Sequence, residues 1–218
     1  MASLSKTTKM PGPSWGISAS LCPVGSKLAQ RPGTVCYECY ALRGHYHMGT
    51  VKRAQYARLR EYYQDQGRWV DRMIDRIEPY RWFRWFDSGD LQSETMLQHI
   101  FYVCEATPYT AHYLPTKQVE FVREVVRRKH VPENLCIRLS AYYFDRMPPW
   151  ADGRAMVDGV CGSTATTIWA QRPIGQRCPA PDQGGKCVTC RACWDPTVPL
   201  VSYDRKHQYV GGKHRRKN

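Results

Sequence analysis

The stretch RWFRWFDSGDLQSETMLQHIFYVCEATPYTAHYLPTKQVEFVREVVRRKHVPENLCIRLSA, residues 81–141, decides the fold class. It contains three short apolar runs of strand length, at 81–86, 111–115 and 134–141. Between them lie two segments, SETMLQHIFYVCEA and TKQVEFVREVVRRK, whose apolar residues recur at helical spacing. Strands that alternate with helices of about ten to fifteen residues predict βαβ units and a parallel sheet.

The same alternation extends in both directions. Upstream, SWGIS at 14–18 is a short strand, and two helical segments follow, the second ended by Pro79. Downstream, ATTIWAQ at 165–171 is a fifth strand, and 141–164 is predicted to be a loop, with a lid as one interpretation. About four or five strands are too few for a closed eight-stranded barrel. We therefore predict an α/β fold, a partial (β/α) barrel with parallel strands, with an open doubly wound sheet as the alternative.

The predicted organisation has three parts. Residues 1–170 form the partial barrel and include an N-terminal cysteine loop. Residues 171–210 form a loop-rich cysteine module packed on the barrel, and 211–218 form a basic flexible tail.

The composition is that of a globular protein, with 42% hydrophobic residues. No apolar run is long enough to span a membrane, and the N-terminal segment lacks the apolar centre of a signal peptide. The chain is therefore expected to be cytoplasmic. Disulfides are rare in that compartment, so the ten cysteines are interpreted mainly as metal ligands.

The formal net charge of +13 fits a partner rich in phosphate, such as DNA, RNA or a nucleotide. Part of this charge lies in the tail, and part in Arg123, Arg127, Arg128 and Lys129 near the end of one predicted helix. The alternative is an ordinary solvated basic surface.

The C-terminal cysteines Cys178, Cys187, Cys190 and Cys193 have the spacing C-x₈-C-x₂-C-x₂-C. Closely spaced cysteines with one more distant partner are typical of [4Fe–4S] ligation, whereas structural zinc sites usually take two separated pairs. The spacing favours a [4Fe–4S] cluster over zinc, and a disulfide least of all.

The N-terminal cysteines Cys22, Cys36 and Cys39 supply three ligands from a loop after the first strand. Three ligands would leave one iron of a cubane open to a substrate or cofactor. A fourth ligand would close the cluster, and the candidates are Cys161, His45 and His47. Zinc is a further alternative for this set. Cys104 and Cys136 lie in apolar segments and are predicted to be buried core thiols.

In both predicted folds the reactive face lies at the carboxyl ends of the strands. Polar residues follow the predicted strands there: Asp87, Ser88 and Asp90 after the second, Thr116 and Lys117 after the third, Ser140 at the end of the fourth, and Gln171 at the end of the fifth. The carboxylates predict hydrogen bonds to an amine or a ribose, or, alternatively, Asp90 or Ser93 caps the next helix. Arg138 shares a strand face with Ser140, and in an apolar strand it predicts an anionic partner from the protein or a ligand.

The chain lacks the G-x-x-x-x-G-K-[ST], G-x-G-x-x-G and H-E-x-x-H motifs, so nucleotide hydrolysis and zinc proteolysis lose their usual support. It resembles a bacteriophage family known as the gene product eighty-eight family. The matching pieces are KMPGPSWG, GTVCYECYALRGHY, FRWFDSGDLQS, LPTK, RLSA, CPAPDQGGKCVTCRACW and VSYDRKH. The resemblance implies a phage protein of the host cytoplasm with iron–sulfur ligands, and it implies no particular reaction.

A more distant similarity, to radical S-adenosylmethionine enzymes, lies in the organisation: three cysteines after the first strand, a partial barrel and a separate C-terminal cluster. It implies that an open iron at the first cluster binds S-adenosylmethionine. The pocket would comprise Asp87, Asp90, Arg138 and Ser140 as candidate catalytic residues, and Ser88, Thr116, Lys117 and Gln171 as candidate cofactor-binding residues.

The sequence therefore predicts a [4Fe–4S] enzyme that acts on nucleic acid or a nucleotide and takes electrons from a host donor. One alternative is a non-enzymatic iron–sulfur protein for nucleic-acid binding or electron transfer. A weaker alternative is a structural zinc protein.

Overall fold

The computed structural model describes residues 3–149, 160–166 and 173–205, and in these residues seven parallel strands form one sheet with helices between the early strands. The strands are β1 (Ser14–Trp15), β2 (Trp82–Trp85), β3 (Ala111–Thr116), β4 (Leu135–Ser140), β5 (Val160–Thr166), β6 (Gln176–Arg177) and β7 (Leu200–Asp204). The α-helices are α1 (Pro23–Leu28), α2 (Gly49–Gln64), α3 (Gln66–Ile77), α4 (Glu94–Ala106) and α5 (Val119–Val126). Short 3₁₀ turns occupy the cysteine-bearing segments.

The strand order is β1-β2-β3-β4-β5-β7-β6, so the first five strands lie side by side in chain order. In a doubly wound sheet the first strand lies in the interior and later strands are added on both sides of it. Here β1 lies at the edge of the sheet, so the fold is not doubly wound. Right-handed crossovers that always step the same way place their helices on one face of the sheet. Consistent with this, α3 packs on α4, and α4 packs on α5.

Period-two alternation in the strands divides the sheet into two unlike faces. In β2, Phe83 and Trp85 are fully buried in the helix-side core, whereas Trp82 and Arg84 point to the other side and are only half-buried. The helices supply the matching stripe, as in α3, where Trp69, Met73 and Ile77 at i, i+4 and i+8 are fully buried. The helix-side face is therefore apolar.

The structure confirms the predicted α/β class and parallel strands, with two corrections. The sheet has seven strands where four or five were predicted, and it is open within the described residues, so the predicted partial barrel is not confirmed. Its fifth strand begins at Val160, inside the segment predicted to be a loop. The prediction missed this strand because the small and polar residues of VCGSTAT weaken the alternating pattern.

Residues predicted to form an appended module complete this same sheet. β7 pairs with β5, and β6 pairs with β7. Gln171 and the predicted tail 211–218 lie outside the described residues. Among the described helices, none combines the length and apolar character needed to cross a bilayer.

Candidate functional site

The face of the sheet away from the helices carries polar and thiol side chains in place of an apolar layer. Adjacent strands contribute Arg84, Tyr113, Arg138, Ser163 and Tyr203 to it, and the strand register places Arg84 beside Tyr113. This face is the floor of a cavity of about 460 Å³.

Both cysteine sets line this one cavity. Cys22, Cys36 and Cys39 come from the segment after β1, and Cys178, Cys187 and Cys193 come from the C-terminal segment. Cys190 lies outside the lining, and all the described cysteines are free thiols. Segments that are far apart in the chain therefore present six free thiols to a common space.

Local hydrogen bonds hold the N-terminal set in place. Cys22 is the N-cap of α1, and its Sγ accepts a hydrogen bond from the Gly25 amide at 3.2 Å. Thr34, which is buried, donates to the carbonyl of Leu28 at 2.7 Å, while the Cys39 amide donates to the Cys36 carbonyl at 3.1 Å. These bonds fold the two cysteine turns towards each other.

The Cys22 thiol has a strongly shifted acidity. Burial is the main cause of its raised pKa, and the nearby Asp90 carboxylate raises the pKa further. The hydrogen bond from Gly25 lowers the pKa, and the neighbouring thiols of Cys36 and Cys39 raise it. The three thiols are therefore close enough to interact electrostatically. The raised pKa values hold Cys22 and Cys36 as neutral thiols.

The C-terminal set lies in a loop that the body of the protein holds by its backbone. The Cys178 amide donates to Ser202 in β7 at 2.8 Å, and the Cys187 amide donates to the carbonyl of Lys9 at 2.8 Å. The indole Nε1 of Trp194 donates to the carbonyl of Phe83 in β2 at 2.8 Å. These three contacts fix the loop across the polar face of the sheet.

The strongest anchor of this loop is Arg138 in β4, which is fully buried. Its guanidinium donates five hydrogen bonds, all to backbone carbonyls. The acceptors are Cys193 and Gly162 at 3.1 Å, Val198 at 2.9 Å, Asp195 at 2.8 Å and Ala192 at 2.5 Å. The prediction of an anionic partner for Arg138 is wrong, because all five of these acceptors are neutral carbonyls. Arg138 lies beneath the loop and outside the cavity lining.

A family model described as Gene product 88 matches residues 3–196. The chain belongs to the gene product 88 family. Searches of curated proteins and of solved structures returned no match.

The carboxyl ends of the strands bring the predicted polar residues of this gene product 88 protein to the cavity. Those found in its lining are Asp87, Ser88, Asp90, Thr116, Lys117 and Ser140. Six of the predicted residues therefore lie around one cavity, and that they form a functional site stays a prediction. Their chemical roles stay predictions.

Asp90 is buried and accepts three hydrogen bonds from its surroundings. Thr116 donates at 2.5 Å, and the amides of Lys117 and Leu91 each donate at 2.8 Å. Burial raises the pKa of Asp90, and these hydrogen bonds oppose the shift. Asp90 thus ties β3 to the turn after β2, while Ser93 caps α4 by accepting from the Met96 amide at 3.1 Å.

Asp87 is less fully satisfied. Its Oδ2 accepts from the hydroxyl of Tyr46 at 3.3 Å, whereas Oδ1 is buried without a hydrogen-bond partner among the described residues. The hydroxyl of Ser88 is likewise buried and unpartnered within the same part of the structure. A Cβ at Gly16 would lie 2.3 Å from Asp87 Oδ1, so only glycine fits there.

Arg84, Tyr113 and Tyr203 are among the cavity residues that the sequence prediction missed. Arg84 lies 5.4 Å from the ring centroid of Tyr113, whose hydroxyl is 2.9 Å from that of Tyr203. The Tyr203 hydroxyl is in turn 3.0 Å from the Sγ of Cys193. The sequence did contain a signal for Arg84, which lies between the large apolar residues Phe83 and Trp85 in RWFRWF. Because side chains alternate along a strand, Arg84 must point away from the core that its two neighbours enter.

The proposed fourth ligands of the N-terminal set are not in the cavity lining. Cys161 is buried in β5, its Sγ donates to the carbonyl of Pro196 at 3.3 Å, and it lies close to Cys136. His45 and His47 are exposed on a 3₁₀ turn. Cys104 and Cys136 are both buried, as predicted; Cys104 belongs to the helix-side core, whereas Cys136 lies beside Cys161.

The fit of the cysteines to a metal depends on its type. In the described residues, no three His, Cys, Asp or Glu side chains are arranged around one point where a metal ion could sit. Zinc needs four ligands within ~2.3 Å of a single ion. In a cubane each thiolate binds a different iron, so its ligands need not converge on one point. Two interacting groups of thiols around a roomy cavity fit this second arrangement.

Proposed function

We propose that this gene product 88 protein is a phage iron–sulfur enzyme of the host cytoplasm that uses two [4Fe–4S] clusters and acts on nucleic acid or a nucleotide. The observation that carries the proposal is the convergence of both cysteine sets on one cavity, which also holds the polar strand ends. Cys22, Cys36 and Cys39 would hold one cluster. Cys178, Cys187, Cys190 and Cys193 would hold the other.

Cations next to the thiols support this assignment, because a cluster with thiolate ligands is anionic. Burial raises the pKa of Cys36 and of Cys187, and Lys117 and Lys9, respectively, oppose those shifts. Burial also raises the pKa of Cys193, against the Tyr203 hydrogen bond and the positive charge of Arg138. Each cation favours the thiolate form that a metal requires.

The position of Cys161 supports an open iron at the first cluster. Its thiol contacts the C-terminal loop through Pro196, so it does not complete the N-terminal set in this arrangement. The C-terminal set, in contrast, has four local ligands and a loop fixed by Arg138. The two sites thus suit different roles, with reaction at the first and electron transfer at the second.

We further propose that the open iron binds S-adenosylmethionine, as the distant similarity implies. When bound, the cluster would supply one electron from a host donor for cleavage of the cofactor's carbon–sulfur bond, with methionine as the leaving group. The chain's own groups would orient the cofactor: Asp87 and Ser88 retain hydrogen-bonding capacity at the end of β2, and Lys117 follows β3. Arg138 is a positioning residue in this scheme, since it acts through the loop that carries Cys193.

The electron-transfer alternative has one specific observation in its favour. The Tyr113–Tyr203–Cys193 contacts connect the polar face to a cysteine of the C-terminal set. Such contacts would tune the reduction potential of a cluster that only carries electrons for a partner. This alternative predicts two closed clusters and no turnover.

The deciding experiment measures iron, sulfide and zinc per chain after anaerobic reconstitution. We expect about eight irons in the wild type and about four in each of Cys22→Ala and Cys187→Ala. Cys104→Ala, whose thiol is buried in α4, is the matched control and should keep the full iron content. Zinc in place of iron would overturn the cluster assignment.

The second step adds S-adenosylmethionine to the reduced protein. The proposal predicts 5′-deoxyadenosine and an altered cluster spin signal that depends on Cys22 but not on Cys104. If a fully loaded protein shows neither, the assignment of S-adenosylmethionine to this site is wrong.

A further inference from the structure

Helix α2 presents an exposed face on which arginine and tyrosine alternate. Arg53, Tyr56, Arg60 and Tyr63 follow one another at spacings of three, four and three residues, which places them on one side of the helix. All four are exposed, Tyr56 to 45% and Tyr63 to 58%. We call these four residues the Arg–Tyr face.

The opposite side of α2 packs against the protein. Gln55, Arg58, Leu59, Glu61 and Tyr62 are buried there. These buried residues anchor the helix. On the Arg–Tyr face itself, the Tyr63 ring contacts the Tyr62 ring edge-on at a centroid distance of 5.4 Å, and the Tyr56 hydroxyl makes one polar contact, to Ser20. Both phenol side chains nevertheless remain exposed, beside two arginines on the same side of the helix, so they are accessible to a partner.

The charge of this face is not neutralised. The carboxylate of α2, Glu61, is bound by Arg72 and Arg76 at 3.0 Å each, and neither Arg53 nor Arg60 forms an ion pair with any described residue. The cationic end of α5, which the sequence suggested as a basic site, differs in this respect. There Arg127 and Arg128 both pair with Glu124 of their own helix, and Arg123 pairs with Glu120.

The Arg–Tyr face is also connected to the cavity. The hydroxyl of Tyr56 lies 2.8 Å from the Oγ of Ser20, and Ser20 is part of the cavity lining. Tyr40, at 40% exposure, and Leu42, at 41%, are also in the lining. A ligand lying on α2 would therefore reach the cavity mouth at Tyr56.

We propose that the Arg–Tyr face binds single-stranded nucleic acid and leads it into the cavity. Arginines spaced along one face pair with successive phosphates, and exposed phenol rings stack on bases. Stacking of this kind requires unpaired bases, so a single strand is favoured over a duplex. The inference extends the proposed function by naming the surface that would recognise its substrate.

The test measures binding of a fluorescein-labelled single-stranded oligonucleotide, as DNA and as RNA, to the reconstituted full chain by fluorescence anisotropy. Each of Tyr56→Ala and Tyr63→Ala should weaken binding by roughly tenfold, as loss of one base stack does. The double variant Arg53→Gln/Arg60→Gln should lower the slope of log K against log salt by about 1.4, because each phosphate contact to a single strand contributes about 0.7.

Matched controls carry the same substitutions elsewhere. Arg127→Gln/Arg128→Gln, directly after α5, and Tyr109→Ala, at 93% exposure, should leave the affinity within about twofold and the salt slope unchanged. Iron content is measured for every variant, so that a failure of the cluster assignment is distinguished from a failure of this surface.

Three outcomes would overturn the inference. The first is that α2 and α5 variants lose affinity equally, which would mean a diffuse attraction to the basic chain. The second is that a duplex of the same length binds as tightly as the single strand. The third is that no oligonucleotide binds, or that the α2 variants abolish self-association or binding to a polyglutamate peptide instead.

Discussion

Replacing Arg138 by methionine should detach the C-terminal cysteine loop from the sheet. The guanidinium is fully buried and bonds to carbonyls at four positions between 192 and 198, and to Gly162 in β5. Methionine fills much of the same volume but donates no hydrogen bond. The substitution therefore tests the anchoring and not the packing.

The magnitude follows from the five hydrogen bonds. A hydrogen bond to a charged group contributes ~1.5–3 kcal/mol, but the bonds are not additive and the desolvation cost of the buried charge is recovered. Loop carbonyls can also rebind water once the loop lifts. We expect the free energy of unfolding to fall by about 3–5 kcal/mol, a large share of the ~5–15 kcal/mol that stabilises a typical domain. Arg138→Lys, with three donors at one point, should lose less, about 2 kcal/mol.

The assay is urea unfolding at pH 7, combined with titration of accessible thiols in the folded protein. Arg138→Met should lower the unfolding midpoint and make Cys193 react faster with a thiol reagent. Arg127→Met is the control, since that side chain is 69% exposed on α5, and it should change stability by less than ~0.5 kcal/mol. A stability loss below about 1 kcal/mol, with Cys193 reacting as in the wild type, would refute this account of the anchor.

Two further predictions concern buried polar groups. Gly16→Ala should destabilise the protein by about 1–3 kcal/mol in urea unfolding, because the new Cβ would lie 2.3 Å from Asp87 Oδ1 and meet the Ser88 backbone at 2.9 Å. Gly67→Ala, whose Cβ meets nothing closer than 3.8 Å, is the control, and equal losses in the two variants would contradict the clash. Burial lowers the pKa of His112 to about 3, so below pH ~6.5 the unfolded chain binds a proton that the folded protein does not. The free energy of unfolding should therefore fall as the pH drops from ~6.5 towards ~4, by up to ~1.4 kcal/mol per pH unit. This contribution should be absent in His112→Gln. If the slope of the unfolding free energy against pH is the same in His112→Gln and the wild type, this prediction is wrong.

Local pattern in the sequence was enough to predict most of the secondary structure. The helices at α3 and α4 have strong apolar periodicity, and Trp69, Met73 and Met96 are buried as that periodicity requires. β5 was misplaced because VCGSTAT has no strong alternation, and its pairing with β4 and β7 is what makes it a strand. Short strands of small residues are determined by their neighbours and not by their own propensity.

The role of Arg138 could not be read from the sequence. An arginine in an apolar strand signals a buried charge that needs partners, and a carboxylate or ligand was the natural expectation. The partners turned out to be carbonyls of a loop more than fifty residues away in the chain. Backbone acceptors have no sequence signature, so only the folded chain could identify them.

The sequence by itself determined the α/β class, the parallel strands, the two cysteine sets and the family, because each depends on residue type at short spacing. Only the tertiary structure decided that both sets face one cavity, that Arg84 and Tyr203 share it, and that Cys161 lies with the C-terminal loop. It also decided that the arginines at the end of α5 pair with glutamates of that helix, whereas Arg53 and Arg60 of α2 form no ion pair within the described residues. These facts depend on which distant segments the crossovers bring together, and short-range pattern carries no information about that.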